Sequence, residues 1–408
     1  MNDIEEAITR AHHDEWARVV ASLTRRFGDL DIAEEATAEA FATAVERWPG
    51  DGIPPNPGAW LTTTANRKAI DRIRRENKRD DKHKEARIVY DDTPPEPLGA
   101  IDDDRLRLIF TCCHPALAME ARLALTLRMV GGLTVPEIAR AFLATESAVG
   151  QRITRAKAKI SAARIPYRMP SAEDLPARVT GVLSVLFLVF NEGYLATGSD
   201  TEPVRQDLTT EAIRLTRLIR ALLPEDGEVA GLLALMLLIE ARRTARVSAG
   251  GELVALDEQD RGAWDKALIA EGHQLVRERL AAGVAPGRYQ ILAAINAVHT
   301  SARDVRDTDW SQVLALYDQL VRLDASPVVA LNRAIALAEL DGPEVALAAV
   351  DRLEDKLAGY HAYHATRADL LRRLGRSRQS RAAYGKAIEL AGNTAETAYL
   401  SRRRDQLG

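Results

Sequence analysis

Apolar residues recur at every third or fourth position along most of this chain, which is the spacing of one face of an α-helix. Alanine, leucine, arginine and glutamate, which favour helix, dominate these stretches. No stretch of the sequence alternates polar residues with apolar β-branched ones, as a half-buried β-strand does. The pattern therefore predicts an all-α protein.

Clusters of proline, glycine and charge interrupt this pattern at three places. Pro49 to Gly58 is predicted to be a loop, Lys78 to Ala100 a charged linker, and Ile165 to Pro176 a second linker. The breaks divide the chain into consecutive parts, which are a helical bundle over 1–80, a linker over 81–100, a small helical module over 101–165 and a helical extension over 170–300.

A weak internal repeat occupies residues 305–408. The segment that starts at Ala330 aligns with the segment that starts at His364, an offset of 34 residues. The identical pairs are Arg333 with Arg367, Ala334 with Ala368, Leu337 with Leu371, and Ala349 with Ala383. With glycine turns at Gly342 and Gly375, this period resembles tetratricopeptide repeats, which stack helical hairpins. A generic bundle of helical hairpins is the alternative.

An apolar run extends from Val182 to Phe190 and is interrupted only by Ser184. It is half the ~20 residues that a membrane span requires, so we expect no membrane partner and predict a helix buried on nearly all sides. The residues after it predict a hydrogen-bonded helix end, with Gly193 in a left-handed turn. A structural or regulatory joint against the preceding module is therefore predicted at Asn191, Glu192 and Tyr194.

The net charge is only −4, so any nucleic acid must be bound by a local basic patch. The first residues show no basic leader followed by an apolar core, which favours a cytoplasmic protein. The only cysteines are the adjacent Cys112 and Cys113, which match neither a disulfide framework nor a recognisable metal-binding spacing. We therefore predict no metal site and no cofactor, and interpret this pair as part of a buried helix end.

The segment from Leu133 to Ile160 has the spacing of a helix-turn-helix. A first helix from about Val135 to Phe142 precedes a short turn, and a second helix begins at Ser147. Val149 and Ile153 lie on the apolar face of this second helix. The rest of the helix offers hydrogen-bond donors to phosphates and base edges in a major groove, from Ser147, Gln151, Arg152, Thr154, Arg155, Lys157 and Lys159.

A second basic helix is predicted from Ala59 to Arg79, with an apolar stripe and a cluster of arginine and lysine in its C-terminal half. Two cationic helices separated by a linker can neutralise phosphates at two places on one duplex. This arrangement suits a bipartite DNA site better than a single operator.

These segments carry a resemblance to a known family. DIAEEATAEAFATAVERW, WLTTTANRKAIDRIRR and LTVPEIARAFLATESAVGQRITRAK resemble the polymerase-docking, minus-ten and minus-thirty-five segments of bacterial RNA polymerase sigma factors of the extracytoplasmic-function type. Such proteins carry only the second and fourth sigma domains, here 1–80 and 101–165. The motif DDRLRLIFTCCHPAL, together with NEGY and the repeat region, resembles a subgroup with a long C-terminal extension.

The resemblance implies core RNA polymerase and promoter DNA as partners, and no enzymatic activity. Polymerase binding is implied for Glu34, Glu35, Phe41 and Trp48, although the two aromatic residues are more typical of a core. Minus-ten recognition is implied for Asn56, Asn66, Arg67, Asp71, Arg72, Arg74 and Arg75. The helix-turn-helix residues would read the minus-thirty-five element. The extension is expected to regulate the sigma domains in cis, and its repeats to bind a regulatory protein or peptide.

Two other classes of function remain open on the residues alone. A free-standing helix-turn-helix regulator would bind an operator and use the repeats for a ligand or a partner. An enzyme built on the extension would require Glu192, Tyr194 and His299 to converge, but the sequence has no nucleophile elbow, metal spacing or phosphate loop there.

Overall fold

The computed structural model describes residues 2–80, 103–142, 144–195, 204–248 and 253–407. The predicted linker over 81–100 lies outside these ranges. Within them the chain forms helices and turns, with one isolated antiparallel bridge between Val247 and Leu253, so the all-α prediction is confirmed. The chain divides into two compact units, residues 1–186 and 187–408.

The first unit contains the predicted bundle and the predicted helix-turn-helix module. Its helices are α1 (Asn2–Phe27), α2 (Leu30–Asp51), α3 (Pro57–Asp80), α4 (Asp104–Cys112), α5 (Met119–Met129), α6 (Val135–Ala141), α7 (Glu146–Ala162) and α8 (Leu175–Tyr194), the last of which continues into the second unit.

The loop predicted to begin at Pro49 is shorter than expected, because α2 continues through this proline to Asp51. Pro49 lies in the last turn, where its missing N–H costs one helical hydrogen bond and the helix ends soon afterwards. Gly52, at φ +84°, donates from its N–H to the carbonyl of Trp48 and closes the helix. The side chain of Asn56 then accepts from the N–H of Ala59 at 3.0 Å and caps α3.

The helix-turn-helix is formed by α6 and α7. The side chains of Thr134 and Glu137 make a capping box at the start of α6. Thr145 accepts from the N–H of Ala148 at 3.2 Å, so α7 begins at Glu146, one residue before the predicted position. Ile153 and the other apolar residues on its inner face are buried, as the sequence spacing predicts.

The second predicted linker, Ile165 to Pro176, is held to the rest of the first unit. The hydroxyl oxygen of Tyr167 lies 3.0 Å from the carbonyl oxygens of Ala21 and Asp104, one in α1 and one in α4. Because α8 begins at Leu175, the last two residues of the predicted linker are helical. The segment therefore acts as a tether between the bundle and the helix-turn-helix module.

Helix α8 contains the apolar run, and two predictions about it are wrong. Leu188 is 41% exposed and Phe187 is half-buried, whereas the other apolar residues from Val182 to Phe190 are at most 2% exposed. Gly193 is helical, since α8 continues to Tyr194 and Gly193 has no positive φ. The helix has the length and mean hydropathy of a membrane span, a test that the core helix of a water-soluble protein also passes.

The second unit continues the helical chain. Its further helices are α9 (Gln206–Leu222), α10 (Gly227–Glu240), α11 (Arg243–Arg246), α12 (Lys266–Ala281), α13 (Arg288–Ser301), α14 (Trp310–Leu323), α15 (Pro327–Leu340), α16 (Pro343–Asp351), α17 (Glu354–Leu357), α18 (His361–Arg373), α19 (Ser377–Leu390) and α20 (Thr394–Asp405). Helix α10 is buried on nearly all sides and packs against α9, α12 and α13, so it forms the centre of the N-terminal half of this unit.

The repeat region folds into helical hairpins, α15 with α16 and α18 with α19. Equivalent arginines bind an earlier helix in both repeats: Arg333 Nε lies 2.6 Å from Asp318 Oδ1 of α14, and Arg367 Nε lies 2.7 Å from Asp351 Oδ1 of α16. The glycine turns have φ values of +89° and +70°, which few other residues adopt. These features are consistent with tetratricopeptide-like hairpins, which remain a prediction.

Candidate nucleic-acid interface

Most of the predicted DNA-reading residues lie on the exposed side of α7. Val149, Ile153 and Ala156 turn inward and bury one face of the helix. Arg155 extends along the opposite face, where its Nε donates to the backbone carbonyl of Gln151 at 3.2 Å. The exposed candidates are Ser147, Gln151, Thr154, Arg155 and Lys159, and Arg152 is half-buried. Their spacing of three and four residues gives one continuous polar face.

Lys157 differs from this group, because it is only 8% exposed. Its ammonium nitrogen lies 2.7 Å from Asp31 Oδ1 and also contacts the carboxylate of Glu34, both on α2. The predicted DNA contact of Lys157 is therefore not available in this arrangement. A buried lysine requires such partners, since an unpaired ammonium group is costly to remove from water.

Arg128 at the end of α5 completes this ionic contact. Its Nε donates to Glu34 Oε1 at 2.5 Å, and its guanidinium carbon lies 5.7 Å from the centroid of the Trp16 ring. The four residues Asp31, Glu34, Arg128 and Lys157 are called the α2–α7 cluster below. Glu34, which the sequence assigns to polymerase binding, is thus bound by two cations of the helix-turn-helix module.

Uncharged contacts extend the same interface. The indole N–H of Trp16 donates to the carbonyl of Met129 at 3.2 Å. The turn before α6 passes close to α1 at Gly132, which has φ +76°; a Cβ there would lie 2.7 Å from the ring of His12. Only glycine fits both the backbone conformation and the close approach. The bundle and the helix-turn-helix module are therefore packed against each other in the first unit.

The other predicted polymerase-binding residues divide into core and surface. Phe41 is 6% exposed, with its ring centroid 5.8 Å from that of Trp16, and Trp48 is 1% exposed, with its ring centroid 5.6 Å from that of Trp60. Both aromatic residues stabilise the bundle, as their helical spacing suggested. Glu35 is exposed and forms an ion pair with Arg72 of α3.

Helix α3 leaves part of its basic surface open. Three of its predicted minus-ten residues already have partners or caps: Arg72 binds Glu35, the amide oxygen of Asn66 accepts from Arg26 Nη1 at 3.4 Å, and Asn56 caps the helix. The exposed remainder is Arg67, Asp71, Arg74 and Arg75. These positions follow one another at helical spacing, so they form a second exposed, predominantly basic face.

The residues of the predicted joint are placed within the second unit. The guanidinium carbon of Arg246 lies 3.4 Å from the centroid of the Tyr194 ring. Glu192 is half-buried, while the carbonyl of the exposed Asn191 accepts from the N–H of Leu195. Tyr194 thus contacts another residue of the extension, and the joint against the preceding module remains a prediction.

Burial shifts the pKa of several titratable side chains outside these basic helices. Burial raises the pKa of the Cys112 thiol and raises that of Cys113 to about 11, so both thiols stay protonated at neutral pH. Burial, aided by Arg242 and Arg261, lowers the pKa of His299 to about 4. Among the described residues no cluster of three or more His, Cys, Asp or Glu is arranged to hold a metal ion.

A helical bundle and a helix-turn-helix, each with an exposed basic helix, are typical of a DNA-binding protein. Three family models match the chain: Sigma-70 region 2 at residues 10–79, Sigma-70 region 4 at 107–160 and a family of unknown function, DUF6596, at 178–280. The two basic helices thus lie in the two sigma regions. No solved structure matches the chain.

Two relatives extend this result. The chain is 43% identical over 396 residues to the uncharacterized protein R00370 of Rhizobium meliloti (strain 1021). This match covers 96% of this chain and 93% of R00370. The chain is 30% identical over 170 residues to the ECF RNA polymerase sigma factor SigK of Mycobacterium tuberculosis (strain H37Rv), covering 37% of this chain and 88% of SigK. The chain belongs to the ECF RNA polymerase sigma factors, and it carries a long C-terminal extension.

Sigma factors of this family bind core RNA polymerase and promoter DNA and direct the initiation of transcription. The sequence reasoning missed the pairing of Lys157 with α2 and a pair of buried arginines, Arg242 and Arg246, in the extension. Neither had a sequence signal, because Lys157 and Asp31 are 126 positions apart and the arginines lie in an ordinary helical segment.

Proposed function

We propose that the exposed faces of α7 and α3 bind the two promoter elements in the complex with polymerase. Arg155 is the leading candidate for a base contact, because it lies in the middle of the exposed face of α7 and no acidic side chain pairs with it among the described residues. On α3, Arg67, Arg74 and Arg75 supply the equivalent donors. Since core polymerase and chromosomal DNA are cytoplasmic, we place the protein there too.

The α2–α7 cluster supports a second part of this proposal, in which the arrangement described here is a closed form. Glu34 is a predicted polymerase contact and Lys157 a predicted DNA contact, and each satisfies the charge of the other. Binding polymerase and promoter together therefore requires the cluster to open. The C-terminal extension is proposed to set this equilibrium in cis, either directly or with a regulatory protein or peptide on its repeats.

Transcription from a genomic DNA library tests the promoter contacts on many sequences at once. Core polymerase and the full chain are incubated with the library, and the 5′ ends of the transcripts are sequenced. We expect R155A to weaken promoter binding by about 1–3 kcal/mol, with a matching loss of transcripts, and to relax the preferred base at one upstream position. K159A is expected to weaken all promoters alike, since Lys159 would contact phosphate.

R352A is the matched control, because Arg352 is an exposed arginine of the second unit and its loss changes the net charge equally. It should leave both promoter choice and yield unchanged. If R155A lowers the yield without altering any base preference, Arg155 binds phosphate only. If R155A and R352A behave alike, α7 does not read DNA in the way proposed.

A further inference from the structure

A cavity of about 330 Å³ lies within the second unit. It is lined by the C-terminal end of α8, by Arg242 and Arg246, and by residues of the segment 253–259, α18 and α20. Leucine, valine and alanine side chains supply much of the wall. The volume is within the range of small-molecule sites, about 300–1,000 Å³.

Two arginines line this cavity without a counter-ion. Arg246 is 6% exposed, and its Nε and Nη2 have no hydrogen-bond partner. Arg242 donates from Nη2 to Asn296 Oδ1 at 3.0 Å, but its Nε has no partner. The acidic group that acts on Arg246 is Glu240, whose carboxylate is already bound by Arg243 at 2.8 Å. Within the described ranges no carboxylate forms an ion pair with Arg242 or Arg246.

This arrangement is unfavourable unless something else supplies negative charge. Burial lowers the pKa of both guanidinium groups, and the positive charge of Arg261 lowers that of Arg242 further. Arginine nevertheless remains protonated in proteins, so the charges persist and are poorly solvated. Buried N–H groups without a partner are rare in native folds and indicate a missing water, ion or ligand.

The other polar residues of the lining show on which side of the cavity a negative charge would bind. Glu396 also lines the cavity, but its carboxylate is held 3.4 Å from His361 Nε2 and accepts from Asn393 Nδ2 at 3.1 Å. Among the described residues, negative charge is thus already present next to α18 and α20, whereas no carboxylate forms an ion pair with Arg242 or Arg246. Gln259 Oε1, which has no partner, adds one acceptor to the lining.

We propose that this cavity binds a small organic anion with an apolar body. Its carboxylate or phosphate group is held by Arg242 and Arg246, whose planar guanidinium groups match either oxyanion, and its apolar part contacts the leucine and valine wall. Tyr194 is a positioning residue, because its ring lies against the guanidinium of Arg246. The site belongs wholly to the extension, so it does not depend on the proposed promoter contacts.

The test uses the full chain and defined probes. Octanoate and octyl phosphate supply the two head groups on the same apolar body, while octanol lacks the charge and inorganic phosphate lacks the apolar body. Binding is measured by isothermal titration calorimetry and by the shift in melting temperature. We expect one site per chain for at least one of the two amphiphilic anions, with octanol and inorganic phosphate each bound at least about tenfold more weakly, a difference of about 1.4 kcal/mol.

Two variants locate the site. R246M and R242M keep the length of the side chain but remove the charge, and each is expected to weaken anion binding at least tenfold. R352M is the matched control, since Arg352 is an exposed arginine of the second unit and is not part of the lining. It should bind the anion as the unaltered chain does. Circular dichroism verifies that each variant is folded. If R246M does not fold, R242M alone locates the site.

A preference for octanoate over octyl phosphate, or the reverse, identifies the head group. The proposal is overturned if neither anion binds, if octanol binds as tightly as the anions, or if R246M and R242M both bind as tightly as R352M. In the first case the arginines are satisfied by water alone. In the second case any apolar solute enters the cavity, and in the third case the anion binds elsewhere.

Discussion

At the scale of single residues, the ionic partners of α7 separate its lysines into two kinds. Lys159 is exposed, whereas Lys157 is 8% exposed and lies between two carboxylates of α2. Glu34 is itself 14% exposed and is also bound by Arg128, so the charges balance within the α2–α7 cluster. Breaking a buried pair by removing one partner costs about 3–5 kcal/mol when the other is left alone, and less when it retains a second cation.

K157M tests this cluster. Methionine keeps most of the apolar stem, so the loss is mainly ionic, and Asp31, at 65% exposed, can be resolvated. We expect the first unit to lose about 1–2 kcal/mol of unfolding free energy, because Glu34 keeps Arg128. The same change should strengthen binding to core polymerase, since Glu34 is then released more easily. Urea denaturation and fluorescence anisotropy with labelled core polymerase measure the two effects.

K159M is the control, being the same substitution on the exposed side of α7, where Lys159 donates to the backbone carbonyl of Ala116 but forms no ion pair with a carboxylate of the described residues. It should leave stability and polymerase affinity close to those of the unaltered chain. A K157M chain that is destabilised but binds polymerase no better would show that the cluster is only structural. If K157M instead loses polymerase binding, the proposed closed form is wrong.

At the scale of elements, the sequence predicts helices well and their contacts poorly. The sequence located the start of α7 to within a residue, and its apolar spacing assigned Val149 and Ile153 to the buried face, because that information is local. Contacts between distant segments left no such signal. Leu188 was assigned to the core because an apolar run does not show which of its faces meets solvent, and the structure leaves it 41% exposed.

Gly193 illustrates the same limit in the candidate joint. The sequence suggested a left-handed helix end, but the glycine is needed for the approach of another segment. A Cβ at this position would lie 2.6 Å from the backbone nitrogen of Thr209 and 2.8 Å from the carbonyl oxygen of Arg205. The N–H of Arg205 also donates to the carbonyl of Gly193 at 2.8 Å. The glycine therefore joins the end of α8 to the start of α9.

Two alanine substitutions in α8 test this interpretation. G193A forces backbone atoms apart and is expected to destabilise the second unit by about 1–3 kcal/mol. G181A is the matched control, since the nearest atom to its added Cβ, the carbonyl oxygen of Cys113, is 4.0 Å away. There alanine should stabilise the helix by about 0.5–1 kcal/mol. Hydrogen exchange of α8 and α9 peptides, followed by mass spectrometry, gives both values; similar values for the two substitutions would refute the close contact.

At the scale of the whole molecule, the boundary between the two units falls inside a helix. Residues up to Leu186 belong to the first unit and residues from Phe187 to the second, while α8 continues without a break to Tyr194. Val182 to Leu186 are part of the apolar core, and Arg178 donates to the carbonyl of Phe110 in α4. The first unit consequently includes part of α8, and a truncation at the predicted linker would remove some of its packing.

A truncation after the end of α8 tests the regulation in cis. The chain 1–194 keeps all of α8, whereas 1–174 lacks it and serves to show the damage done by cutting inside the first unit. If the extension sets the balance between closed and open forms, transcription by the 1–194 chain with core polymerase should differ from that of the full chain by about 5- to 150-fold, the range of ordinary coupling free energies. Run-off transcription measures this difference on a promoter that the sequencing of transcript 5′ ends has identified.

The direction of that change identifies the mechanism. Higher activity of the 1–194 chain means that the extension stabilises the closed form, and K157M in the full chain should then raise activity as well, because both changes favour opening. Lower activity means that the extension adds a contact needed for initiation, and K157M should not compensate for its loss. Equal activity of the 1–194 and full chains, with both folded and bound to core polymerase, would exclude regulation in cis and leave the extension with a role separate from promoter recognition.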